Sequence, residues 1–262
     1  PFGAPSGEYV VGRLDGAQMV FLPRHGRGHT ILPHEINYRA NIHGMKQLGV
    51  EWIISVSAVG SLRADIAPGD FVVVDQFIDR TRARVSSFYG DGAAGHIPFG
   101  DPVCPRLAGW LYEAAQGAMT ASQAGGRVHK SGTYVVMEGP AFSTRAESVM
   151  YRSFGADVIG MTNLPEAKLA REAEICYATV ALSTDYDCWH ADEEAVSVDR
   201  VVSVMRRNVA TARDLLRRAV SLIAPPRECP CHNASQFALM TSKEHVSAAA
   251  KERLKLIVGK YL

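Results

Sequence analysis

Two aspartates directly follow an apolar segment and form the most distinctive chemical pattern in the sequence. In Ser183-Thr-Asp-Tyr-Asp-Cys-Trp189, Asp185 and Asp187 are two residues apart and come after the run Tyr177-Ala-Thr-Val-Ala-Leu182. An extended backbone would point both side chains to the same side. Beside an apolar pocket, one such carboxyl group can hold a proton at a raised pKa while its neighbour accepts hydrogen bonds. A turn-forming or Ca²⁺-binding pair is the alternative, but the further oxygen ligands of a calcium loop do not follow, so the pattern favours acid–base chemistry.

Two short loops predict an anion site. The basic loop Leu22-Pro-Arg-His-Gly-Arg-Gly-His-Thr30 follows one apolar run, and Ser57-Ala-Val-Gly-Ser61 lies at the end of the next. Guanidinium forks bind phosphate oxygens in pairs, small residues expose backbone donors, and loops after the strands of an open α/β sheet are common ligand sites. A solvated basic turn and an ordinary strand-to-helix turn are the alternatives.

Two more loops precede predicted helices. Met137-Glu-Gly-Pro-Ala-Phe-Ser-Thr-Arg-Ala-Glu147 combines a carboxylate, a glycine-proline turn and an aromatic ring, which suggests a pocket wall. Gly160-Met-Thr-Asn-Leu-Pro-Glu166 leads into a helix that Thr162 or Asn163 would cap, and a helix N-terminus also favours anions. A surface ion pair in the first loop and simple capping in the second are the alternatives.

Apolar runs and helical patterns alternate along the chain, which predicts one α/β domain over residues 1–262 with a mainly central sheet. The predicted strands are 52–57, 71–75 and 177–182, apolar throughout as in strands covered on both faces. A helix is expected near 37–49, and capping boxes at 144–147 and 241–244 predict two more helix starts. A long amphipathic helix should follow Ser197 as N-cap and end before Pro225-Pro226.

The composition excludes several function classes. Twenty-eight basic and twenty-seven acidic residues leave a formal charge of +1, too balanced for a nucleic-acid or membrane surface. The sequence contains no signal-peptide pattern, and five scattered cysteines do not form a disulfide framework, so we expect a cytoplasmic protein. No group of His, Cys and Asp residues has zinc-ligand spacing, so no metal is expected. Cys229-Pro-Cys231 is read as a reduced surface turn, with a strained redox pair as the alternative.

The motifs taken together, in this order, resemble the methylthioadenosine branch of the trimeric purine nucleoside phosphorylase family. The resemblance extends from Pro1 to about Ile223 and is carried by RHGRGHT, NYRAN, GSLR, PGDFVVVDQFIDRT, EGPAFSTRAES, GADVIGMT, TDYDCW and EEAVSVDRV. It implies an α/β phosphorylase fold with a twisted mixed β-sheet flanked by helices, and a homotrimer whose active sites border one another. The implied reaction is the phosphorolysis of S-methyl-5'-thioadenosine to adenine and 5-methylthioribose 1-phosphate, with inorganic phosphate as co-substrate and no cofactor.

The resemblance also assigns roles to individual residues, and most of them fall on the loops described above. It implies that Asp185 and Asp187 are catalytic and hold the base. The phosphate-binding residues would be Arg24, His25, Ser57, Ala58 and Thr162. The nucleoside would be held by Phe142, Met161, Val198, Val201 and Val202, with His96 contributed by a neighbouring subunit.

The sequence departs from the family pattern at three points. Relatives begin with a strand and a glycine-rich phosphate loop that we expect upstream of Pro1, Gly160 stands where an asparagine is common, and Ser57 replaces a frequent threonine. Three other functions remain open: a phosphorylase for 6-oxopurines or methylthioinosine, a catalytically silent nucleoside-binding protein, and a hydrolytic nucleosidase.

Overall fold

The computed structural model describes residues 1–122, 125–190, 198–223 and 226–262. The strands are β1 Val10–Leu14, β2 Ala17–Phe21, β3 Trp52–Ser61, β4 Phe71–Val74, β5 Gln76–Arg80, β6 Val128–His129, β7 Thr133–Met137, β8 Val158–Gly160 and β9 Cys176–Asp185. The α-helices are α1 Tyr38–Gln47, α2 Pro105–Ser122, α3 Arg145–Ser153, α4 Asn163–Glu172, α5 Val198–Leu222 and α6 Ala248–Val258, and Pro230–Asn233 forms a short 3₁₀ helix. The predicted strands and the long helix α5 are all present.

Seven strands form one mixed sheet in the order β5-β7-β8-β3-β9-β4-β6. At its centre β3 and β9 run parallel, while β8 and β4 join them antiparallel on either side. Every residue of β9 is buried, as expected for an apolar strand covered on both faces, whereas buried and half-buried residues alternate along β3. The mixed sheet that the sequence predicts is therefore confirmed.

Helices cover the sheet on both faces. Helices α2 and α5 pack against each other and against β9, where Leu107, Leu111 and Leu215 fill one hydrophobic core with Val180 and Leu182. Helices α1, α4 and α6 belong to the core on the opposite face. The long amphipathic α5 thus buries its apolar stripe on the sheet, which is what its three- and four-residue spacing predicts.

The capping signals had mixed outcomes. The capping box at Thr144 and Glu147 is formed and starts α3. The one predicted at 241–244 is wrong, because the hydroxyl of Thr241 accepts the backbone N–H of Ala94 at 2.8 Å and a turn follows instead of a helix. Helix α6 begins later, with the Ser247 hydroxyl accepting the Ala250 N–H.

The antiparallel hairpin β1–β2 precedes the sheet and was not predicted. Its turn is Asp15-Gly16, and both residues have positive φ, at 49° and 83°. Asp-Gly is a strong signal for a two-residue type I′ hairpin turn, so the sequence did contain the relevant pattern. In the described part of the chain, none of the helices combines the length and apolar character needed to cross a bilayer.

Candidate active site

The two central parallel strands bring the predicted site segments to one edge of the sheet. The loop predicted at 57–61 is wrong, because this segment continues β3 and pairs with β9. In the β3–β9 register Ser57 lies opposite Ala181, and Gly60 lies opposite Asp185. Because β8 runs antiparallel to β3, the residues that follow it return alongside Ser57 and place Thr162 there. Strand rise puts Ser57 roughly 10 Å before Gly60, so the two predicted functions occupy neighbouring positions along one edge.

Arg24 is a buried cation with one free donor. Its Nη2 donates to Ser55 Oγ at 2.7 Å, and its Nε lies 3.6 Å from Glu166 Oε2. The side chain is only 16% exposed, and Nη1 is buried with no hydrogen-bond partner in the described structure. Burial opposes the charge on Arg24, but the Glu166 carboxylate and three neighbouring tyrosine hydroxyls together outweigh that effect, so the pKa of Arg24 is raised. An unsatisfied guanidinium donor is costly to bury unless a ligand pairs with it.

A ring of buried polar groups holds the Arg24 side chain in place. Ser55 donates to Asn163 Oδ1 at 3.4 Å, and Asn163 donates to Thr179 Oγ1 at 2.8 Å. The Thr179 hydroxyl contacts the Tyr177 hydroxyl, which donates to Glu166 Oε1 at 2.8 Å. Sequence reasoning did not assign Ser55 or Glu166 a role, although Ser55 lies two residues before Ser57 on the same face of β3.

His25 is oriented by its own loop. Its Nδ1 lies 2.9 Å from the Ile31 carbonyl oxygen, which can only accept, so Nδ1 is the protonated nitrogen. Its ring stacks on His29 with centroids 4.3 Å apart. Burial lowers the pKa of His25, so the ring is neutral at physiological pH and its Nε2 is an acceptor.

The hydroxyl groups of Ser57, Thr162 and Tyr134 form a cluster. Ser57 Oγ lies 3.2 Å from Thr162 Oγ1 and 3.3 Å from the Tyr134 hydroxyl, and all three residues are buried. A Cβ on Gly160 would lie 2.0 Å from the Tyr134 hydroxyl oxygen. Tyr134 therefore occupies the space that a side chain at position 160 would need, which explains the glycine there. No sequence pattern identified Tyr134 as part of this cluster.

Asp185 and Asp187 are both buried, with 7% exposure each. Asp185 Oδ2 accepts the Thr184 hydroxyl at 2.7 Å, and its Oδ1 accepts the Asp187 backbone N–H at 2.8 Å. Gly60 is required opposite them, because a Cβ there would lie 2.9 Å from Asp185 Oδ1. The pair is therefore a connected acidic unit packed against the bare backbone of β3.

The extended geometry predicted for this pair is wrong at its second member. Asp185 ends β9, but Asp187 has a φ of 49°, in the left-handed region that aspartate and asparagine tolerate best among non-glycine residues. The turn lets the Asp187 N–H reach the Asp185 carboxylate. Burial raises the pKa of Asp187, although hydrogen bonds from neighbouring groups partly oppose that shift.

The predicted nucleoside residues are more exposed. Phe142 is 47% exposed and Val202, on α5, is 40% exposed. His96 is also exposed, and its backbone N–H donates to the Ala238 carbonyl at 2.8 Å. The side chains of Val198 and Val201 lie outside the described part of the structure.

The Met161 backbone is clamped by a buried arginine that sequence reasoning missed. Arg84 Nη1 donates to the Met161 carbonyl at 2.6 Å and to the Leu164 carbonyl at 2.7 Å. Its Nε pairs with Glu138 at 2.9 Å, and the side chain is 1% exposed. Arg84 thereby joins the loop after β7 to the loop after β8.

A cavity of about 820 Å³ opens at the Arg24 end of this arrangement. Its lining includes β2, part of α1, the first half of β3 and the end of α5, and the side chains of Arg24, His25, Ser55 and Glu166. Of the predicted site residues that the structure describes, only Arg24 and His25 line this cavity; Ser57, Thr162 and the aspartate pair lie outside its lining.

The chain is similar to known proteins over its whole length. Residues 1–221 match the family model for the phosphorylase superfamily. The chain is 60% identical to S-methyl-5'-thioadenosine phosphorylase of Geobacter sulfurreducens, over 100% of this chain and 90% of the relative. It is 57% identical to the Koribacter versatilis protein of the same name, over 100% and 87% of the two chains.

Solved structures of related proteins also superpose on the chain. A methylthioadenosine phosphorylase from an antarctic soil metagenomic library superposes with a TM-score of 0.92 at 50% identity, covering 98% of this chain and 89% of the other. The Schistosoma mansoni methylthioadenosine phosphorylase, in complex with adenine, gives a TM-score of 0.81 at 41% identity over 84% and 82% of the chains.

Proposed function

Since the chain belongs to the phosphorylase superfamily, we propose that it catalyses the phosphorolysis of S-methyl-5'-thioadenosine to adenine and 5-methylthioribose 1-phosphate. The single observation that carries the proposal is the buried Arg24 donor without a partner, at the same sheet edge as the buried Asp185–Asp187 pair. An anion would satisfy the unpaired Arg24 donor, and the aspartate pair could accept further hydrogen bonds from a base. The similarity to proteins named as phosphorylases of this nucleoside supports the same substrate.

The phosphate would lie against Arg24 and the hydroxyls of Ser57 and Thr162. A buried guanidinium fork forms strong charge-assisted bonds to phosphate oxygens, and the Ala58 backbone N–H adds a neutral donor. The neutral His25 presents Nε2 as an acceptor, which suits the remaining O–H of hydrogen phosphate. The nucleophilic oxygen is thereby oriented by donors on one side and an acceptor on the other.

The base would be held at the aspartate pair. Cleavage of the N9–C1' bond leaves positive charge on the ribose and negative charge on the purine, so the reaction needs an anion beneath C1' and a proton near N7. Phosphate supplies the anion. Asp185 would face N7 and Asp187 would accept from the 6-amino group. Burial raises the pKa of Asp187, which favours a proton on the pair.

The 5' end of the nucleoside would be completed by a neighbouring subunit of a homotrimer. Phe142 and Val202 are large apolar side chains left exposed, as expected for surfaces that a substrate covers. The loop of His96 is bonded to a segment bearing Phe237 and Met240, which are 86% and 65% exposed. Such a patch around His96 suits an interface that brings His96 to the next active site. A cytoplasmic location is part of the proposal, because all five cysteines are free thiols.

The test is adenine release from methylthioadenosine by the purified protein, with and without phosphate. We expect release only with phosphate, and a sugar phosphate as the second product. Release without phosphate would establish a nucleosidase. No release under either condition, with nucleoside binding intact, would establish a silent binding protein. A preference for methylthioinosine would establish the 6-oxopurine activity.

A further inference from the structure

Four of the five cysteines meet in the hydrophobic core. Cys104 immediately precedes α2, Cys176 is the first residue of β9, and Cys229 and Cys231 flank Pro230 at the short 3₁₀ helix. All four are buried as free thiols, at 0%, 0%, 5% and 2% exposure. The expectation of a surface turn at Cys229 and Cys231 is therefore wrong.

The sulfur positions match those of a tetrahedral metal site. All four Sγ atoms lie within 4.8 Å of one another, and the Sγ atoms of Cys176 and Cys229 are 3.3 Å apart. Tetrahedral Zn²⁺ with Zn–S bonds of 2.3 Å requires sulfurs ~3.8 Å apart, which lies inside this range. The two sulfur atoms of a disulfide, in contrast, are only about 2.0 Å apart. The cluster is thus already spaced for four bonds to one central ion.

The surroundings favour thiolates. Cys104 sits at the N-terminus of the long helix α2, where free backbone N–H groups stabilise negative charge. His232 directly follows Cys231, and its Nδ1 donates to the Cys229 carbonyl at 2.7 Å, which orders the ligand loop. The helix N-terminus offsets part of the net negative charge of a four-thiolate site.

We propose that Cys104, Cys176, Cys229 and Cys231 form a structural site for one thiophilic divalent cation of the zinc type. Four protein ligands leave no open position, so the ion is structural and takes no part in phosphorolysis. It ties three parts of the chain together: the start of α2, the start of β9 and the C-terminal segment after residue 226. That last segment also supports the His96 loop through Ala238.

Metal binding is tested on the whole protein, purified under reducing conditions. We expect about one zinc ion per chain after extensive dialysis. After zinc removal under reductant, added Co²⁺ should produce the visible absorption bands of tetrahedral thiolate coordination, and one equivalent of Zn²⁺ should abolish them. Thiol reagents should titrate only Cys188 in the zinc-bound native protein and all five cysteines after the metal is chelated and the chain unfolded.

Matched variants locate the site. Cys104→Ser and Cys229→Ser should lose the Co²⁺ spectrum, whereas Cys188→Ser, which changes the one cysteine outside the cluster, should keep it. If a cluster variant fails to fold, the wild-type Co²⁺ titration still decides the question. Reduced wild type that retains no zinc and gives no Co²⁺ spectrum would overturn the proposal. So would two disulfides in the purified protein that, once reduced, leave four thiols unable to bind either ion.

Discussion

At the phosphate end of the proposed site, Ser57 and Thr162 are buried and Arg24 is 16% exposed, and all three are hydrogen-bonded, whereas at the nucleoside end Phe142 and Val202 are 47% and 40% exposed. The first set of groups is rigid because each is anchored to the central strands or to the loop after β8. The second set lies on loops and on the outer surface of α5. The groups proposed to bind the anion are therefore enclosed within one chain, while the end proposed to bind the 5' group needs further contacts.

The largest expected effect comes from removing the cation at the rigid end. Arg24→Ala deletes charge-assisted bonds that contribute roughly 1.5–3 kcal/mol each, so the phosphate KM should rise at least tenfold while nucleoside affinity changes much less. The measurement is phosphate KM from steady-state kinetics beside nucleoside Kd from calorimetry. Arg27→Ala removes an exposed arginine from the same loop and is the matched control. An unchanged phosphate KM in Arg24→Ala would remove this residue from the phosphate site.

The next effect concerns base choice. A 6-aminopurine donates from N6, whereas a 6-oxopurine presents an acceptor. With the proton of the pair directed at N7, the remaining carboxylate complements only the first. Asp185→Asn keeps the shape but introduces an amide, so turnover of methylthioadenosine should fall and methylthioinosine should gain. The ratio of kcat/KM values should swing by a few kcal/mol, because sites that pair buried polar groups reject analogues that leave them unpaired. A wild type that already prefers the 6-oxo substrate, or a ratio that stays constant, contradicts the assigned role.

A smaller effect is expected at the exposed end. His96→Ala should raise the nucleoside KM several-fold, in line with the loss of about one hydrogen bond, and leave the phosphate KM unchanged. Activity should also disappear at the low protein concentrations at which sedimentation shows that trimers dissociate. The control is His245→Ala, which alters an exposed histidine at a different place, in the C-terminal region. A fully active monomer would refute the contribution of a neighbouring subunit.

The smallest effect is on stability. Burial raises the pKa of Asp187 above its ordinary value of 3.8, so the folded state binds this proton more tightly than the unfolded chain does. The resulting stabilisation is complete below pH 3.8 and is lost as the pH rises through the folded-state pKa. Asp187→Asn fits the left-handed backbone and removes the buried charge, so at neutral pH it should stabilise the protein by ~1 kcal/mol while reducing activity.

Thermal unfolding across a pH series checks this sign. The difference in Tm between Asp187→Asn and wild type should be positive at neutral pH and should shrink as the pH falls towards 4. A variant that is less stable than wild type at neutral pH would show that hydrogen bonds to the charged carboxylate outweigh the cost of burying it.

The local elements and the order of the site loops were predictable from the sequence. The apolar runs at β3, β4 and β9, the helix α5 and the capping box at Thr144 each depend on neighbouring residues, and all are present. The capping box expected at 241–244 failed, because a competing partner 147 residues away bonds the Thr241 hydroxyl. A further strand and glycine-rich loop upstream of Pro1 stay a prediction, as do the roles of the individual site residues.

By itself, then, the sequence determined the α/β class, the order of the segments proposed to bind the anion and the base, and the resemblance to a phosphorylase. Only the tertiary structure placed Tyr134 in the space beside Gly160, enclosed Arg24 in a ring through Glu166, and gathered Cys104 and Cys176 with the C-terminal cysteines. The physical reason is one of range: propensity, capping and periodicity act within a few residues, whereas these contacts join segments that meet only after the sheet and its helices have packed.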